Sequence, residues 1–452
     1  MAGRTAQHVT FVSFVGLRVR ERELLALGIT LPGLGDRKAA VAQLPALGLL
    51  TLAGMMPAGW TCSYHEADQW DDAFLDQIVA ERPALVAVSA LTAGVLEAYA
   101  FCAELRKRDV QTVLGGLHAT ACPAEAAQYS TAVVAGDGEA VWHRLLADAN
   151  EGCLGGVYQS SEAFDLRNSI PPRFDLVARP SRSRFTIQTQ RGCPFACEFC
   201  AASRLLGGFR EKPAHLIRNE MTVLKTVVTH PVVELADDNT FAGTRDVEEL
   251  LSVFSDAGVR YFTESDWRIG ERPEVLKKLA ASGCVQVLIG IESLVHVYRG
   301  FGQKRAAVHR IMAAIEAIQD HGVAVIGCFV IGGDGETAAS LAKLTQFIID
   351  SPLADVQVTL QTPFPGSPLR QKLSRAGRLL ADRNWSYYTL FDVTFAPDQL
   401  SVVELERGFR DLASVVYSAS QNDRRFGIRR KIWSKARDAN NVWHRPGDAQ
   451  CA

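Results

Sequence analysis

Phe185-Thr-Ile-Gln-Thr-Gln-Arg-Gly-Cys-Pro-Phe-Ala-Cys-Glu-Phe-Cys200 is the stretch on which the reading of this chain turns. Its first four residues alternate apolar and polar side chains, the period of a β-strand, and the run Phe185–Thr189 reads as one. Three cysteines, Cys193, Cys197 and Cys200, follow at once in a short loop. Three thiolates on one compact loop suit three irons of a [4Fe–4S] cube and leave the fourth iron open to a chelating small molecule. Gly192 and Pro194 fit a loop that wraps closely around an inorganic cluster. Structural zinc normally takes four ligands in two separated pairs, whereas the next His or Cys after this loop is His215. The spacing therefore argues for a cluster and against zinc.

Working outward, the sequence after the loop alternates apolar runs with helical patterns. Strands are expected at Phe185–Thr189, Val232–Ala236, Tyr261–Glu264, Val285–Ile291, Ala324–Ile331 and Val356–Leu360. Helical periodicity fills the intervals, as in Pro213–Val228 and Ala306–Asp320. Six such units make a partial (β/α)6 barrel over residues 183–384, with functional groups expected on loops after the strands. Upstream, strands at Val9–Val15, Trp60–His65, Leu85–Ser89, Thr112–Leu114 and Ala132–Ala135 alternate with helices, giving a doubly wound, Rossmann-like parallel sheet over residues 1–150. Residues 151–182, with Pro171-Pro172 and Pro180, read as a linker. Residues 385–452 read as a helical C-terminal region, with Leu400–Ala419 amphipathic. The fold class is α/β: two parallel-sheet domains and a helical cap.

The 452-residue chain carries a formal net charge of −2, which argues against a nucleic-acid partner. Its one basic run, Arg424, Arg425, Arg429, Arg430 and Lys431, is expected to form a solvated helix face. Leu44–Trp60 is largely apolar, but Pro45, Gly48, Gly54, Pro57 and Gly59 interrupt it, so a buried helix is expected rather than a membrane span. Seven of the ten cysteines are scattered singly and no secretory signal is visible, which is the usage expected of a reduced cytoplasmic protein.

The spacing C-x3-C-x2-C, with Phe199 before the third cysteine, is similar to the signature of radical S-adenosylmethionine enzymes. The domain order resembles the subgroup that carries a cobalamin-binding-type domain in front of the barrel. The resemblance implies a [4Fe–4S] cluster on Cys193, Cys197 and Cys200, with S-adenosylmethionine on the open iron. It also implies contacts to that cosubstrate from Phe199, Asp238, Arg268, the Gly-Ile-Glu292-Ser293 segment and the Gly332-Gly333 turn. Arg268 could pair with the methionyl carboxylate as a bidentate fork. An external electron donor of flavodoxin, ferredoxin or reductase type is implied as partner, along with a small-molecule substrate. Asp237, Glu264 and Asp266, at strand ends, are the candidate acids and bases. The aromatics of Trp385–Phe395 are candidates to line a substrate cavity.

Histidine-ligating cobalamin domains carry Asp-x-His-x-x-Gly, then Ser-x-Leu, then Gly-Gly. Ser89-Ala90-Leu91 and Gly115-Gly116 fit the later two motifs, but Gly16-Leu17-Arg18-Val19-Arg20 supplies no histidine after the first strand. Domains that hold cobalamin without that ligand and domains that have lost the cofactor both accord with this pattern. In the family, S-adenosylmethionine is cleaved to a 5′-deoxyadenosyl radical that removes hydrogen from the substrate. The compact chain and missing histidine resemble the radical diol dehydratases of aminoglycoside antibiotic biosynthesis, so the reading leans to lyase chemistry on a sugar-like diol. The alternative is a cobalamin-dependent C-methyltransferase.

Overall fold

The computed structural model describes residues 7–14, 19–27, 44–179 and 182–440. Strands β1 (His8–Phe14), β2 (Thr61–Ala67), β3 (Leu85–Ala90), β4 (Thr112–Gly115), β5 (Ala132–Ala135) and β6 (Gly156–Gln159) form one parallel sheet in the order β2-β1-β3-β4-β5-β6. Alternate residues feed opposite faces, as the pleat demands. Val9, Phe11, Leu85 and Ala87 pack with Trp142 and Leu145 on one side. Val12, Phe14, Val86 and Val88 pack with Phe101 and Leu105 on the other. Burial on both faces is the reason these strands read as near-continuous apolar runs.

β6 lies within the stretch read as a linker. It extends the sheet by parallel pairing with β5, Ala132 opposite Gly156 through Ala135 opposite Gln159. The apolar run Leu44–Trp60 forms the helix Leu47–Gly54, whose Leu49, Leu50 and Ala53 are buried. No helix among the described residues is long and apolar enough to cross a membrane.

The second sheet comprises β7 (Arg184–Ile187), β8 (Val232–Leu235), β9 (Arg260–Ser265), β10 (Cys284–Glu292), β11 (Ala324–Ile331) and β12 (Asp355–Leu360), paired strictly in sequence order. β7 and β12 are its two edges, so the barrel is open, as the six-unit pattern predicts. Helices Ala214–Val227, Val247–Ala257, Pro273–Leu279, Val308–Asp320 and Ala338–Asp350 cover its outer face. Half-buried Phe262 and Glu264 on β9 and Cys328 on β11 alternate with fully buried neighbours, which places them on the face turned away from that helical layer.

The C-terminal region folds as helices Val402–Val416 and Ala419–Asn440. Ser401 and Glu404 form a capping box that starts the first. The basic run on the second is a solvated face only in part: Arg424, Arg430 and Lys431 are exposed, but the other two members turn inward. Arg425 and Arg429 are 2% and 1% exposed and flank the buried Asp355 at the start of β12, with Arg429 Nη1 at 2.8 Å from Asp355 Oδ2. One buried carboxylate draws both guanidinium groups inward, which sequence periodicity cannot register.

Candidate active site

The cysteine loop is built by backbone constraints. Gly192 has φ +77°, and a Cβ there would stand 2.7 Å from the Gly208 carbonyl oxygen, so glycine is required. Gln190–Arg191 pairs antiparallel with Arg210–Glu211, pinning the loop's entry. Its middle is stitched to the segment after β10: Ala196 N–H donates to the Gly300 carbonyl and Glu198 N–H to the Arg299 carbonyl at 3.0 Å. Arg299 N–H donates back to Glu198 Oε1 at 3.2 Å. Phe199 stacks edge-on against Tyr298, ring centres 4.8 Å apart. This ring, expected from the sequence to contact the cosubstrate, thereby also props the loop.

Cys197 is buried, while Cys193 and Cys200 are half-buried. Burial raises the Cys193 thiol and pushes Cys197 up to about 11, with the Lys304 ammonium opposing both shifts. Their sulfurs are not gathered as a single ion would need. Among the described residues the only three or more His, Cys, Asp and Glu ligand atoms lying within 4.8 Å of one another belong to a different group. Ligands around one zinc sit roughly 3.8 Å apart for Zn–S of about 2.3 Å. Three thiols on one loop, spread wider than that beside the half-buried Lys304 ammonium, fit a multi-iron cluster.

Beside the loop, strand ends of the barrel collect carboxylates. Burial pushes Glu264 up to about 7, reinforced by the charges of Asp238, Glu292 and Asp237. Asp238 rises to about 6, through burial and then the Asp237 charge. Burial also raises Glu292, which ends β10 with φ +69°, a left-handed conformation unusual for glutamate. The Cys328 thiol is raised by burial and by Glu292 and Glu264. Lys304, in the turn Gly302–Lys304, opposes every one of these shifts. The structure thus brings Asp238, Glu264 and Glu292 to the cysteine loop around a lysine that sequence reasoning missed. Lys304, half-buried, sits in an irregular turn with no periodic signal, and only its placement among these thiols and carboxylates marks it.

Two of the three candidate acids have other work. Asp237 accepts from Thr189 N at 2.8 Å, Thr189 Oγ1 at 2.5 Å, Gln190 N at 3.1 Å and Thr240 Oγ1 at 2.9 Å. It braces the end of β8 to the entry of the cysteine loop. Asp266 takes a fork from Arg268, Nε to Oδ1 at 2.7 Å and Nη2 to Oδ2 at 2.8 Å, and Asn239 Nδ2 at 2.9 Å. Those donors hold its pKa below the ordinary value although it is buried. Arg268 therefore spends its fork on Asp266, while its guanidinium lies 5.0 Å from the Phe195 ring centre of the cysteine loop.

Ser293 and Gly332 come together through Glu336, the last residue of the glycine-rich segment Gly332-Gly333-Asp334-Gly335-Glu336. Glu336 Oε1 accepts from Ser293 Oγ at 3.1 Å and Oε2 from Gly332 N at 2.7 Å. This ties the ends of β10 and β11 into one rim.

The carboxyl end of the first sheet meets this rim. Arg191, two residues before Cys193, donates to Asp137 Oδ1 at 2.7 Å and to Glu139 Oε1 at 2.7 Å, both just beyond β5. Arg210 adds a bond to Asp137 Oδ2 at 2.7 Å. Trp385 Nε1 donates to Glu125 Oε1 at 2.7 Å, so the first aromatic of Trp385–Phe395 docks on the N-terminal domain. Phe391, Val393 and Phe395 are core residues.

The strand ends of the first sheet also fit a large planar ligand. Ser89 pairs with Gly115 in register, and Gly116, at φ +101°, lies so that a Cβ would be 3.1 Å from Ser89 Oγ. Gly136, at φ +88°, has open space where its side chain would be, and Leu91 is 51% exposed at the end of β3. The segment Gly16–Arg18, from which the missing histidine was read, lies outside the described residues.

Comparison with known proteins accords with this geometry. Residues 37–146 match the B12 binding domain family and residues 187–348 the Radical SAM superfamily. The chain is thus a radical S-adenosylmethionine enzyme. Within that class it belongs to the subgroup with an N-terminal cobalamin-binding-type domain. The radical domain implies the [4Fe–4S] cluster and S-adenosylmethionine, and the front domain supports cobalamin. The chain is 26% identical over 345 residues to bacteriochlorophyllide d C-12(1)-methyltransferase of Chlorobaculum tepidum, covering 74% of this chain and 75% of the relative. It is 24% identical to an anaerobic magnesium-protoporphyrin IX monomethyl ester cyclase of Rubrivivax gelatinosus, covering 73% and 66%.

Its fold is shared with two solved structures. The cobalamin-dependent S-adenosylmethionine radical enzyme OxsB with aqua-cobalamin bound matches with TM-score 0.68 and 11% identity, over 89% of this chain and 66% of that one. The radical S-adenosylmethionine methyltransferase TsrM from Kitasatospora setae, with cobalamin and [4Fe–4S] cluster bound, matches with TM-score 0.65 and 15% identity, over 96% and 100%. These names are of methyltransferases and a cyclase, which favours the methyltransfer alternative and gives the lyase lean no support.

Proposed function

We propose that this chain is a cobalamin-dependent radical S-adenosylmethionine methyltransferase acting on a carbon of a small molecule. The observation that carries it is the Arg191 clamp. It sets the cysteine loop directly against the β5 strand-end turn, at the edge where doubly wound sheets bind ligands. A corrinoid held by Ser89, Leu91, Gly115 and Gly116 would then lie within the same chamber as the cluster. When bound, the cluster with S-adenosylmethionine supplies a hydrogen-abstracting radical and the corrinoid supplies the methyl group.

The chain's own residues position and shield these groups. Cys193, Cys197 and Cys200 hold the irons, and Lys304 offsets the negative charge that thiolates and carboxylates place in a buried site. Glu264, raised to about 7 by burial and the neighbouring carboxylates, can exchange a proton at its carboxyl close to neutral pH. Asp238 and Glu292, with Ser293 and the Gly332 turn, form the polar rim that would hold S-adenosylmethionine.

Anaerobic purification from cells supplied with cobalamin, followed by iron, sulfide and corrinoid analysis of one sample, tests the reading. About four irons with about one corrinoid per chain is expected. A full cluster with no corrinoid would leave the front domain a scaffold and reject methyl transfer.

A further inference from the structure

The ligand atoms that do cluster closely lie elsewhere. His118 on the turn of helix Leu117–Ala121, Cys122 just after it, and Glu125 on the turn Pro123–Ala126 present atoms all within 4.8 Å of one another. The three are spaced i, i+4 and i+7, and Pro123 breaks the backbone between the two helical turns.

His118 is the informative member. It is 1% exposed, and its Nδ1 lies 3.3 Å from Thr92 Oγ1, while Nε2 is buried with no hydrogen-bond partner. A buried ring nitrogen left without a partner is unfavourable, because it has lost its water and gained no substitute. Nε2 stands 3.9 Å from Glu125 Oε1, too far for a hydrogen bond. Two ligands on one tetrahedral zinc lie roughly 3.3 Å apart for Zn–N and Zn–O of about 2.0–2.1 Å, so the gap closes with a shift of a few tenths of an ångström.

The surroundings suit an ion as well. Trp385 Nε1 donates to Glu125 Oε1 at 2.7 Å, the kind of outer contact that orients a ligating carboxylate. The Trp385 ring also stands edge-on to His118, centres 4.9 Å apart. The buried Tyr99 hydroxyl lies next to the same group, beside Glu125 and Cys122.

We propose that His118, Cys122 and Glu125 form a mononuclear zinc site, separate from the iron–sulfur cluster. One imidazole, one thiolate and one carboxylate make a borderline donor set that favours zinc over magnesium or calcium. Three protein ligands leave the fourth tetrahedral position to water. The ion would pin the turn that follows Gly115-Gly116 and, through Glu125 and Trp385, fasten the C-terminal region to the N-terminal domain.

The test uses the full chain with its cluster loaded, purified with zinc supplied and then passed through a mild chelator. One zinc per chain should remain beside the iron, and zinc-edge X-ray absorption should show one sulfur at about 2.3 Å with nitrogen and oxygen completing the shell. Cys122→Ser, a conservative change at a half-buried position, should lower zinc affinity at least tenfold while iron content stays unchanged. Glu125→Gln should weaken it similarly. No retained zinc, a shell of three sulfurs marking zinc on the cluster cysteines, or full retention by Cys122→Ser would each overturn the proposal.

Discussion

Replacing Arg191 by methionine should loosen the seam between the two sheets by a calculable amount. Arg191 is 14% exposed, and its acidic partners Asp137 and Glu139 are each 8% exposed. Removing one member of a buried ion pair costs about 3–5 kcal/mol because the other charge is left stranded. Here the loss is smaller. Asp137 keeps Arg210 at 2.7 Å and the Phe164 N–H at 2.8 Å, whereas Glu139 loses both hydrogen bonds that Arg191 gives it. A net cost of about 2–3 kcal/mol follows. Paired with Glu139→Gln in a double-mutant cycle, the coupling should be about 1–2 kcal/mol. Urea unfolding of the cluster-free chain, read by tryptophan fluorescence, measures it, because Trp142 packs against Phe11 in the N-terminal core at 5.8 Å between ring centres. If unfolding resolves into two steps, the coupling belongs to the first. Strict additivity within about 0.5 kcal/mol would refute the clamp as an energetic link.

Three further outcomes are expected. Lys304→Met removes the cation that favours the Cys193 and Cys197 thiolates, so alkylation of the cluster-free protein by iodoacetamide near pH 8 should slow by about tenfold per unit of pKa rise, and an unchanged rate would remove Lys304 from this role. Glu264 has its folded pKa raised to about 7, so the fold binds more protons than the unfolded chain between the ordinary carboxylate range and that value. Stability therefore falls as pH rises through this window, and Glu264→Gln should gain on the parent in urea midpoint from pH 5 to pH 8; a pH-independent difference contradicts it. Asp355→Ala strands Arg425 and Arg429 inside the protein and should cost about 3–5 kcal/mol, with hydrogen exchange quickening first along Ala419–Asn440.

Much of the fold was legible because its strands are buried on both faces and its helices are amphipathic, so the period of each run announced its element. β6 escaped notice for the opposite reason. Only Tyr158 of its four residues is buried, and a short edge strand leaves almost no apolar trace. The cysteine loop was legible because its ligands are adjacent in sequence. Carboxylates at strand ends were not separable in advance: an aspartate that braces backbone, as Asp237 does, has the same sequence signature as one that moves protons. Lys304 and the Arg191 clamp depend on which distant segments pack together, and no local pattern encodes that.

The Arg191 clamp also bears on inheritance. The arginine belongs to the cysteine loop and its acids belong to the turn after β5, 54 and 52 residues earlier in the chain. A recombination event joining this barrel to a foreign front domain would deliver a guanidinium with no carboxylate to receive it. The two halves are therefore exchanged at least cost as a matched set, or with a borrowed turn that carries acids at positions equivalent to Asp137 and Glu139.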